Sequence, residues 1–438
     1  MPIMYPISAS NIKQIAYWFN DSSATYRPAW SGSKESFNKN SYYPVTIIGG
    51  GYAGLSTLLH LVQNKHIDRL GFAGRPLAIL LDEKQIGNGP SGNSGGHICW
   101  MQANKKQMIR ACGRRLTERI SGHMNGATDL IERITTKHDI SCDLVRCYAE
   151  FSNGHWEVTT GGRLGWLAPY PFVVGLATAC QETRLAKIQE QTLVTDIEEV
   201  GRLCRITTNR GSFWTSYIVA AGGHRMSETI PLLQVQRKQT IEIYVSTILI
   251  RGIAKKLFDR FLPKALLELA INYGHFPFAD GSPKNVIYGV VDYRHGSIMF
   301  GSRDTINGKE PDVNLMLRDL FTIFPRFEKI FYNHLLSYTT LVNAMPVSVP
   351  INQMPIVTRN GNILTMQGLA GHGLAVGVLL GKAAAKKILS IARRDPDLGK
   401  TFDEFSAVPH LKLSPLSHPT IRKLASYAGR ELYRYGLI

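Results

Sequence analysis

Cysteine is scarce in this sequence and follows no pattern. Six residues, Cys99, Cys112, Cys142, Cys147, Cys180 and Cys204, lie scattered without C-x-x-C spacing. That spacing argues against a zinc site and against the disulfide framework of a small secreted domain, so reduced core thiols are expected. Long hydrophobic runs are missing too. No apolar stretch reaches the ~18 residues of a membrane span, and the start, MPIMYPISASNIKQ, lacks the charged, apolar and cleavage regions of a signal peptide. A cytoplasmic protein without a transmembrane segment is expected. Acidic residues are also few: 33 Asp and Glu stand against 50 Lys and Arg, a net charge of +17. Such a field favours anionic partners without choosing among acidic substrates, phospholipid and nucleic acid. Basic residues gather locally, as at Lys105, Lys106, Arg110, Arg114, Arg115 and Arg119, and again from Lys382 onward. They form no run interleaved with aromatics, so a solvated basic surface is the plainer reading and a nucleic-acid footprint the alternative.

What is present is an ordinary folding composition, 44% hydrophobic and 19% charged, long enough for one large core or two interleaved domains. Residues 1–43 are polar and aperiodic and read as an arm. Pro44 to Gly49 (PVTIIG) is a short β-rich run, Ala53 to Val62 carries apolar residues at helical spacing, and Leu77 to Asp82 (LAILLD) is a second buried strand. The stretch between, Gln63 to Pro76, is a loop insertion. Residues 101–145 read as two helices, 146–165 as strand, Tyr170 to Glu190 as helix, and TLVTDIEEV, CRITTN and WTSYIVAA as strands. Residues 238–250 and 286–301 are Val-, Ile- and Tyr-rich strands of a separate antiparallel sheet.

Gly49, Gly50, Gly51, Tyr52, Ala53 and Gly54 supply G-x-G-x-x-G between the first strand and the helix. Gly49 permits the tight turn, Gly51 lets backbone approach a pyrophosphate, and Gly54 allows close packing of helix on strand. Asp82 closes the next strand, where a carboxylate accepts hydrogen bonds from adenosine ribose hydroxyls, with Glu83 as the substitute. A second glycine loop, Gly87 to His97, follows five residues later. An NAD dehydrogenase has no need of it, whereas the longer FAD does. A third, Gly368 to Gly373, leads into an apolar helix from about Leu374 to Ile391, whose N-terminus would stabilise negative charge on a reduced flavin.

On these segments the sequence resembles the D-amino-acid-oxidase-like flavoproteins, within them the gamma-glutamylputrescine oxidoreductase branch. The resemblance covers almost the whole chain, from AYWFNDSS through VTIIGGGYAGLSTLLHL, GNGPSGNSGGH and IVAAGGH to NILTMQGLAGHGLAVGVLLGKAAAKKI and FSAVPHLKL. It implies a Rossmann-like α/β FAD-binding domain with an inserted α+β substrate domain built on a mainly antiparallel sheet. The FAD domain is expected over 44–110, 166–226 and 340–438, and the substrate domain over 111–165 and 227–339. It further implies that Gly49, Gly51, Gly54, Asp82, Ser91, Gly92, Gly95, Gly96, Val194, Ala221, Gly222, Gly371, His372 and Gly373 contact FAD; some relatives tether the flavin through His or Cys, which raises His97 and Cys99 as tethers, but no tethering motif is closely matched, so FAD held without a covalent bond is expected. This sequence departs from the branch at Asn93 and Ser94, where an Arg-Asn pair is common, at Ala220 to Gly223, and at Gly289, where a larger polar residue is expected.

Oxidation of an amine requires the neutral amine beside the flavin. His97 and His372 are the candidates to take its proton, each with a structural hydrogen-bonding role as the equal alternative. Arg294 and Arg303 flank a substrate-domain strand and are the candidates to bind a substrate carboxylate, with surface solvation the plainer role for both. The expected activity is FAD-dependent oxidation of an amine or amino acid, a gamma-glutamyl polyamine among the candidates, followed by imine hydrolysis, with oxygen or another electron acceptor. Two further readings stand beside it: an FAD enzyme acting on tRNA wobble uridines, and a non-catalytic FAD-stabilised binding protein.

Overall fold

The computed structural model describes residues 13–14, 36–64, 76–99, 105–223, 226–230, 233, 240–280, 287–302, 305–306, 312–333, 339–350, 354–369 and 371–409. From the N-terminal arm, β1 (Lys13–Gln14) pairs in parallel with Leu341 and Val342. Next, β2 (Tyr42–Ile48), α1 (Tyr52–Val62) and β3 (Ala78–Leu81) form the expected strand, turn, helix and strand. The inner residues of β2 and all of β3 are buried, as the apolar runs of a parallel sheet must be. A short ribbon strand, β4 (His97–Ile98), follows.

Three helices then occupy the segment read as two: α2 (Lys105–Cys112), α3 (Arg114–Asn125) and α4 (Ala127–Lys137). Residues from 111 onward were expected beside the substrate sheet. Instead, Ile120, Met124, Leu130, Ile131 and Ile134 join one core with Leu55, Leu58, Phe172 and Leu380 of the glycine-turn domain. Amphipathic spacing marks an apolar face but not its partner. Then come β5 (Cys147–Ser152), β6 (His155–Thr160) and β7 (Gly165–Trp166), which pairs with β4.

The helix pattern from Tyr170 to Glu190 divides into α5 (Pro169–Gln181) and β8 (Ala186–Gln189). Arg184 takes a positive φ of 57° just past the helix end, and a four-residue buried strand carries too short a pattern to be told from helix. A meander of β9 (Val194–Val200), β10 (Leu203–Thr208) and β11 (Gly211–Ala220) follows. The long β12 (Thr240–Arg251) precedes α6 (Lys255–Phe261) and α7 (Lys264–Tyr273). Next are β13 (His275–Asp280), the hairpin β14 (Tyr288–Asp292) and β15 (Ser297–Gly301), and β16 (Thr305–Ile306). The chain continues with α8 (Val313–Ile323), α9 (Pro325–Asn333), β17 (Thr339–Pro350), β18 (Ile356–Asn360), β19 (Ile363–Gln367), α10 (Gly373–Arg393) and α11 (Lys400–Ser406).

Two large sheets result. In the first, β8, β3, β2, β11 and β19 run parallel side by side, with β18 antiparallel at one edge and the β9–β10 meander on β11. In the second the order is β1-β17-β12-β15-β14-β13-β5-β6, with β16 on β12, and it is antiparallel except at β1–β17 and β13–β5. Thus β17, placed by the sequence reading in the cofactor domain, is a strand of the second sheet, where it pairs along its whole length with β12. A strand's sheet depends on which free edge it meets, and that is invisible in its own alternation.

Strand pleating gives the second sheet two different faces. Phe278, on one, meets Phe324 edge to face with centroids 5.3 Å apart, and a core of helices α6 to α9 covers this side. His275, Pro277 and Ala279 point the opposite way, and there His275 meets Trp166 of β7 at 4.6 Å. That second face therefore looks toward the glycine-turn domain.

Candidate active site

The first glycine turn is held from three sides. Gly49 has a φ of 104°, and a Cβ there would come within 2.6 Å of the Ala221 carbonyl oxygen and of Gly222 Cα. Only glycine allows that contact between the β2 and β11 ends at this φ. The Gly50 N–H donates to Asp82 Oδ2 at 2.6 Å, and the Lys84 N–H donates to Oδ1 at 2.8 Å. Asp82 is thereby aimed across the turn. Burial, together with the charges of Glu83 and Glu190, pushes its carboxyl up to about 6, against the effect of the two N–H donors. Helix α1 begins at Gly51 with no side-chain cap. Its first turn includes Tyr52, Ala53 and Gly54, so its N–H groups and positive dipole end are directed at the turn.

The second glycine loop folds onto the first. Ser91 Oγ accepts from the Tyr52 N–H at 3.2 Å, the Tyr52 and Ser94 hydroxyls lie 3.0 Å apart, and a Cβ on Gly51 would reach within 2.7 Å of Ser91 Oγ. A side chain at Gly92 would overlap the Gly87 backbone, and one at Gly96 would overlap Leu167 and Trp166. Trp166 Nε1 donates to the Gly95 carbonyl at 2.8 Å, tying the loop to the β4–β7 ribbon. From below, the buried Glu190 carboxylate accepts from the Ile86 N–H at 2.7 Å. Asn93, a departure from the branch pattern, is buried and donates to the Gly89 carbonyl at 3.1 Å. Val194 starts β9 and is buried beside Ile48, Leu81 and Ala220. The chain reaches it through a bond from the Thr192 N–H to the Asp82 carbonyl, 2.7 Å.

The third segment arrives by helix packing. A Cβ on Gly381 would lie 2.5 Å from the Ala53 carbonyl oxygen, and one on Gly377 3.2 Å from Tyr52 Cβ, so α10 crosses α1 at backbone distance. Ser56 Oγ closes the crossing by donating to the Val378 carbonyl at 2.7 Å. This contact sets the N-terminus of α10 beside the first turn. Gly371 is exposed with a φ of 77°, and His372 is the helix's N-cap residue without making a side-chain cap. Its Nδ1 lies 3.7 Å from Cys99 Sγ. Burial lowers the His372 imidazole to about 4 and raises the Cys99 thiol to about 11, so both groups are neutral near pH 7.

His97 faces the second sheet. Its ring sits edge-on to Tyr148 at 6.3 Å and to Tyr288 at 5.8 Å, and Nε2 has no hydrogen-bond partner among the described residues. Burial alone lowers its basicity to about 4. Tyr148 and Tyr288 were not singled out in the sequence; only strand pairing shows that they share the face above the glycine loops. Gly289, adjacent to Tyr288, points to the other face, where a Cβ would fall 2.4 Å from Phe278 Cζ and strike the Met299 carbonyl. Gly289 is small because the helix-covered core leaves no room, and it does not line the site.

Arg294 lies in the β14–β15 turn, at the far end of the hairpin from Tyr288. It is exposed, 3.3 Å from Asp143 Oδ1, and donates to the Tyr273 carbonyl at 3.2 Å. The structure does not bring it together with the histidines. Arg303 lies outside the described residues.

A parallel sheet with a glycine turn at the carboxyl end of its first strand, opposed by a sheet over the turn, is the architecture of a dinucleotide-binding α/β protein. The chain belongs to the FAD dependent oxidoreductase family, whose profile matches residues 44–149 and 156–387. It is 23% identical over 420 residues to gamma-glutamylputrescine oxidoreductase of Escherichia coli K12, covering 86% of this chain and 89% of that protein. Among solved structures it is similar to glycine oxidase from Bacillus cereus ATCC 14579 (TM-score 0.57, 15% identity, 82% of this chain and 97% of the other). It is also similar to L-proline dehydrogenase from P. horikoshii (TM-score 0.59, 14% identity, 84% and 98%). The fold is therefore a Rossmann-like FAD domain joined to a mainly antiparallel second domain, and the protein is an FAD-dependent oxidoreductase. Among the described residues no helix is long and apolar enough to cross a membrane.

The residues present fit the cofactor. At Gly49, Gly51, Gly92 and Gly96 a Cβ would strike protein atoms, so only glycine allows the close loop packing that leaves a backbone-lined path from Asp82 to His97. Two helices, α1 and α10, start on it without side-chain caps.

Proposed function

We propose that this enzyme oxidises the carbon–nitrogen bond of a small amine or amino acid, using FAD held without a covalent bond. The observation that carries the reading is the meeting of three elements: the Gly49–Gly54 turn with Asp82, the N-terminus of α10, and the aromatic group His97, Tyr148 and Tyr288 on the opposing sheet. In this reading Asp82, with Glu83 beside it, receives the ribose hydroxyls. Gly49, Gly51, Tyr52, Ala53, Gly54 and Ser91 surround the pyrophosphate. Gly92, Gly95, Gly96, Val194, Ala221 and Gly222 line the remaining path, and Gly371, His372 and Gly373 present the α10 dipole to the ring.

Bound FAD supplies the hydride acceptor. The chain's own tasks are to place the substrate carbon, exclude water and hold the amine in its neutral form. A neutral His97 accepts a hydrogen bond from the amine, and its burial keeps it from competing for a permanent proton. Water then hydrolyses the released imine. Reversible FAD binding is favoured by the protonated Cys99 thiol, since a thiol held at about 11 is a poor nucleophile near neutrality. A cytoplasmic location accords with the sequence composition.

The test is the visible spectrum of the purified protein and anaerobic bleaching of its flavin bands with amines, N-methyl amino acids and D-amino acids. Bleaching by one class is the expected result. A colourless protein that cannot be reconstituted with FAD overturns the reading.

A further inference from the structure

One peptide of the second loop joins two glycines, Gly95 and Gly96, and glycine on both sides removes the Cβ contacts that ordinarily choose between the two orientations of a peptide plane. Gly96 takes a φ of 73°, which glycine reaches without strain. The orientation is therefore selected from outside the loop. The selector is Trp166 of β7. Its indole N–H donates to the Gly95 carbonyl at 2.8 Å, and the N–H of Leu167 donates to the Gly96 carbonyl at 3.1 Å. Two successive carbonyls of the loop are thus turned toward one short ribbon strand.

Trp166 is itself held by the second sheet. It is buried, its backbone N–H and carbonyl form bonds of 3.0 and 2.9 Å with Val145, and its ring lies against His275 with centroids 4.6 Å apart. His275 is buried as well, and its Nε2 donates to the Asp143 carbonyl at 2.7 Å. Val145 leads into β5 and His275 opens β13, neighbouring strands of that sheet. The indole N–H is consequently placed by the second sheet and not by the loop it holds.

A trans peptide sets its C=O and N–H in opposite directions, so a Gly95 carbonyl turned to Trp166 sends the Gly96 N–H the other way. That way lies Ser94 Oγ, 3.4 Å distant, whose hydroxyl is 3.0 Å from that of Tyr52 in the first turn of α1. At 3.4 Å the bond is long, which leaves the donor open to a better acceptor. The N–H thus faces the first glycine turn. A reversed peptide would present a carbonyl there instead.

We infer that Trp166 is a positioning residue for the flavin: its indole fixes the polarity of the Gly95–Gly96 peptide, so that the cofactor side of the loop offers an N–H and not a carbonyl, and so raises the reduction potential. This rests on the reading above in which the second loop lines the cofactor path. Reduction adds electron density to the ring, which an N–H dipole stabilises and a carbonyl opposes. Trp166 acts through the peptide and touches neither substrate nor reacting atoms.

The test is the midpoint potential of the bound flavin, equilibrated against a redox dye of known potential. It is measured in Trp166→Phe and in a chain carrying at position 166 the benzothienyl isostere of tryptophan, in which sulfur replaces the indole N–H. Phenylalanine keeps an aromatic ring against His275, and the isostere keeps the whole indole shape. Both should lower the equilibrium constant for two-electron reduction about tenfold, which is about 30 mV and matches the loss of one hydrogen bond to a charged group. Phe278→Leu, in the helix-covered core, should cost stability and leave the potential unchanged. An unchanged or raised potential in the isostere overturns the inference and leaves FAD binding standing. An equal fall in Phe278→Leu overturns it too, since the effect would then be general loosening. Should Trp166→Phe fail to fold, the isostere alone decides. A wild-type chain that binds no FAD overturns the inference together with the reading it rests on.

Discussion

The Gly50 N–H and the Asp82 carboxylate form a 2.6 Å hydrogen bond that locks the first glycine turn to the end of the neighbouring strand. The same carboxyl is held at about 6 by burial, so it exchanges its proton near the lower edge of the physiological range. FAD affinity should therefore fall as pH drops from 7 to 5, because protonation removes acceptor capacity. Asp82→Asn should weaken FAD by about ten- to hundredfold, the worth of a hydrogen bond to a charged group, and flatten that pH dependence. Quenching of FAD fluorescence on titration with apoprotein checks both.

The crossing of α10 on α1 depends on Gly381, whose Cβ would sit 2.5 Å from the Ala53 carbonyl oxygen and 2.6 Å from Ser56 Cβ. Gly381→Val must push the helices apart. We expect a loss of about 1–3 kcal/mol in denaturant unfolding of the apoprotein and weaker FAD binding, since the glycine segments separate together.

A substitution at Gly289 discriminates between pocket and core. Gly289→Ser should lower stability by about 1–3 kcal/mol or more, because its side chain enters the Phe278 core. Among molecules that do fold, the KM for an amine should be unchanged. A shift in substrate preference without a loss of stability would contradict the face assigned here.

The imidazoles of His97 and His372 are both lowered to about 4. The limiting rate of flavin reduction should show no inflection near pH 6.5 from either. An inflection there that vanishes in His97→Asn would show that the ring titrates normally in the holoenzyme.

Acid should destabilise the apoprotein through buried histidines. His60, His97 and His372 are each lowered from 6.5 to about 4. Between those values the unfolded chain binds protons that the folded chain does not, and stability falls as pH falls from 6.5 to 4. Asp82 acts in the opposite sense: its carboxyl is raised from 3.8 to about 6, so its contribution is fully present below 3.8 and is lost as pH rises through 6. With three groups against one, a net loss is expected in urea unfolding curves recorded at pH 7, 5.5 and 4.5.

Much of the cofactor side was legible in the sequence. The Gly49–Gly54 turn, Asp82 and the glycines around Ser91 carry local conformational demands, and each stands within a few residues of the strand or helix that gives it meaning. Residues 42–62 and 77–82 differ from the observed elements only at their ends. The opposing wall was not legible. Tyr148 and Tyr288 sit in strands whose alternation is clear but whose faces are undefined until partners are chosen, since a shift of one residue reverses every side chain. For the same reason Gly289 reads as a missing pocket residue in sequence and proves to be a core glycine.

By itself, then, the sequence determined the class of cofactor and the parallel sheet that holds it, because those rest on short-range turn geometry, helix dipoles and buried β-runs. Only the tertiary structure decided what meets the cofactor. The pairing of β6, β5, β13, β14, β15 and β12 aligns residues from 150 to 301 in one row, and the crossing of α10 on α1 brings Gly371–Gly373 to a turn more than 300 residues earlier in the chain. Both are set by packing between distant segments, whose information lies in the fit of surfaces rather than in any local pattern.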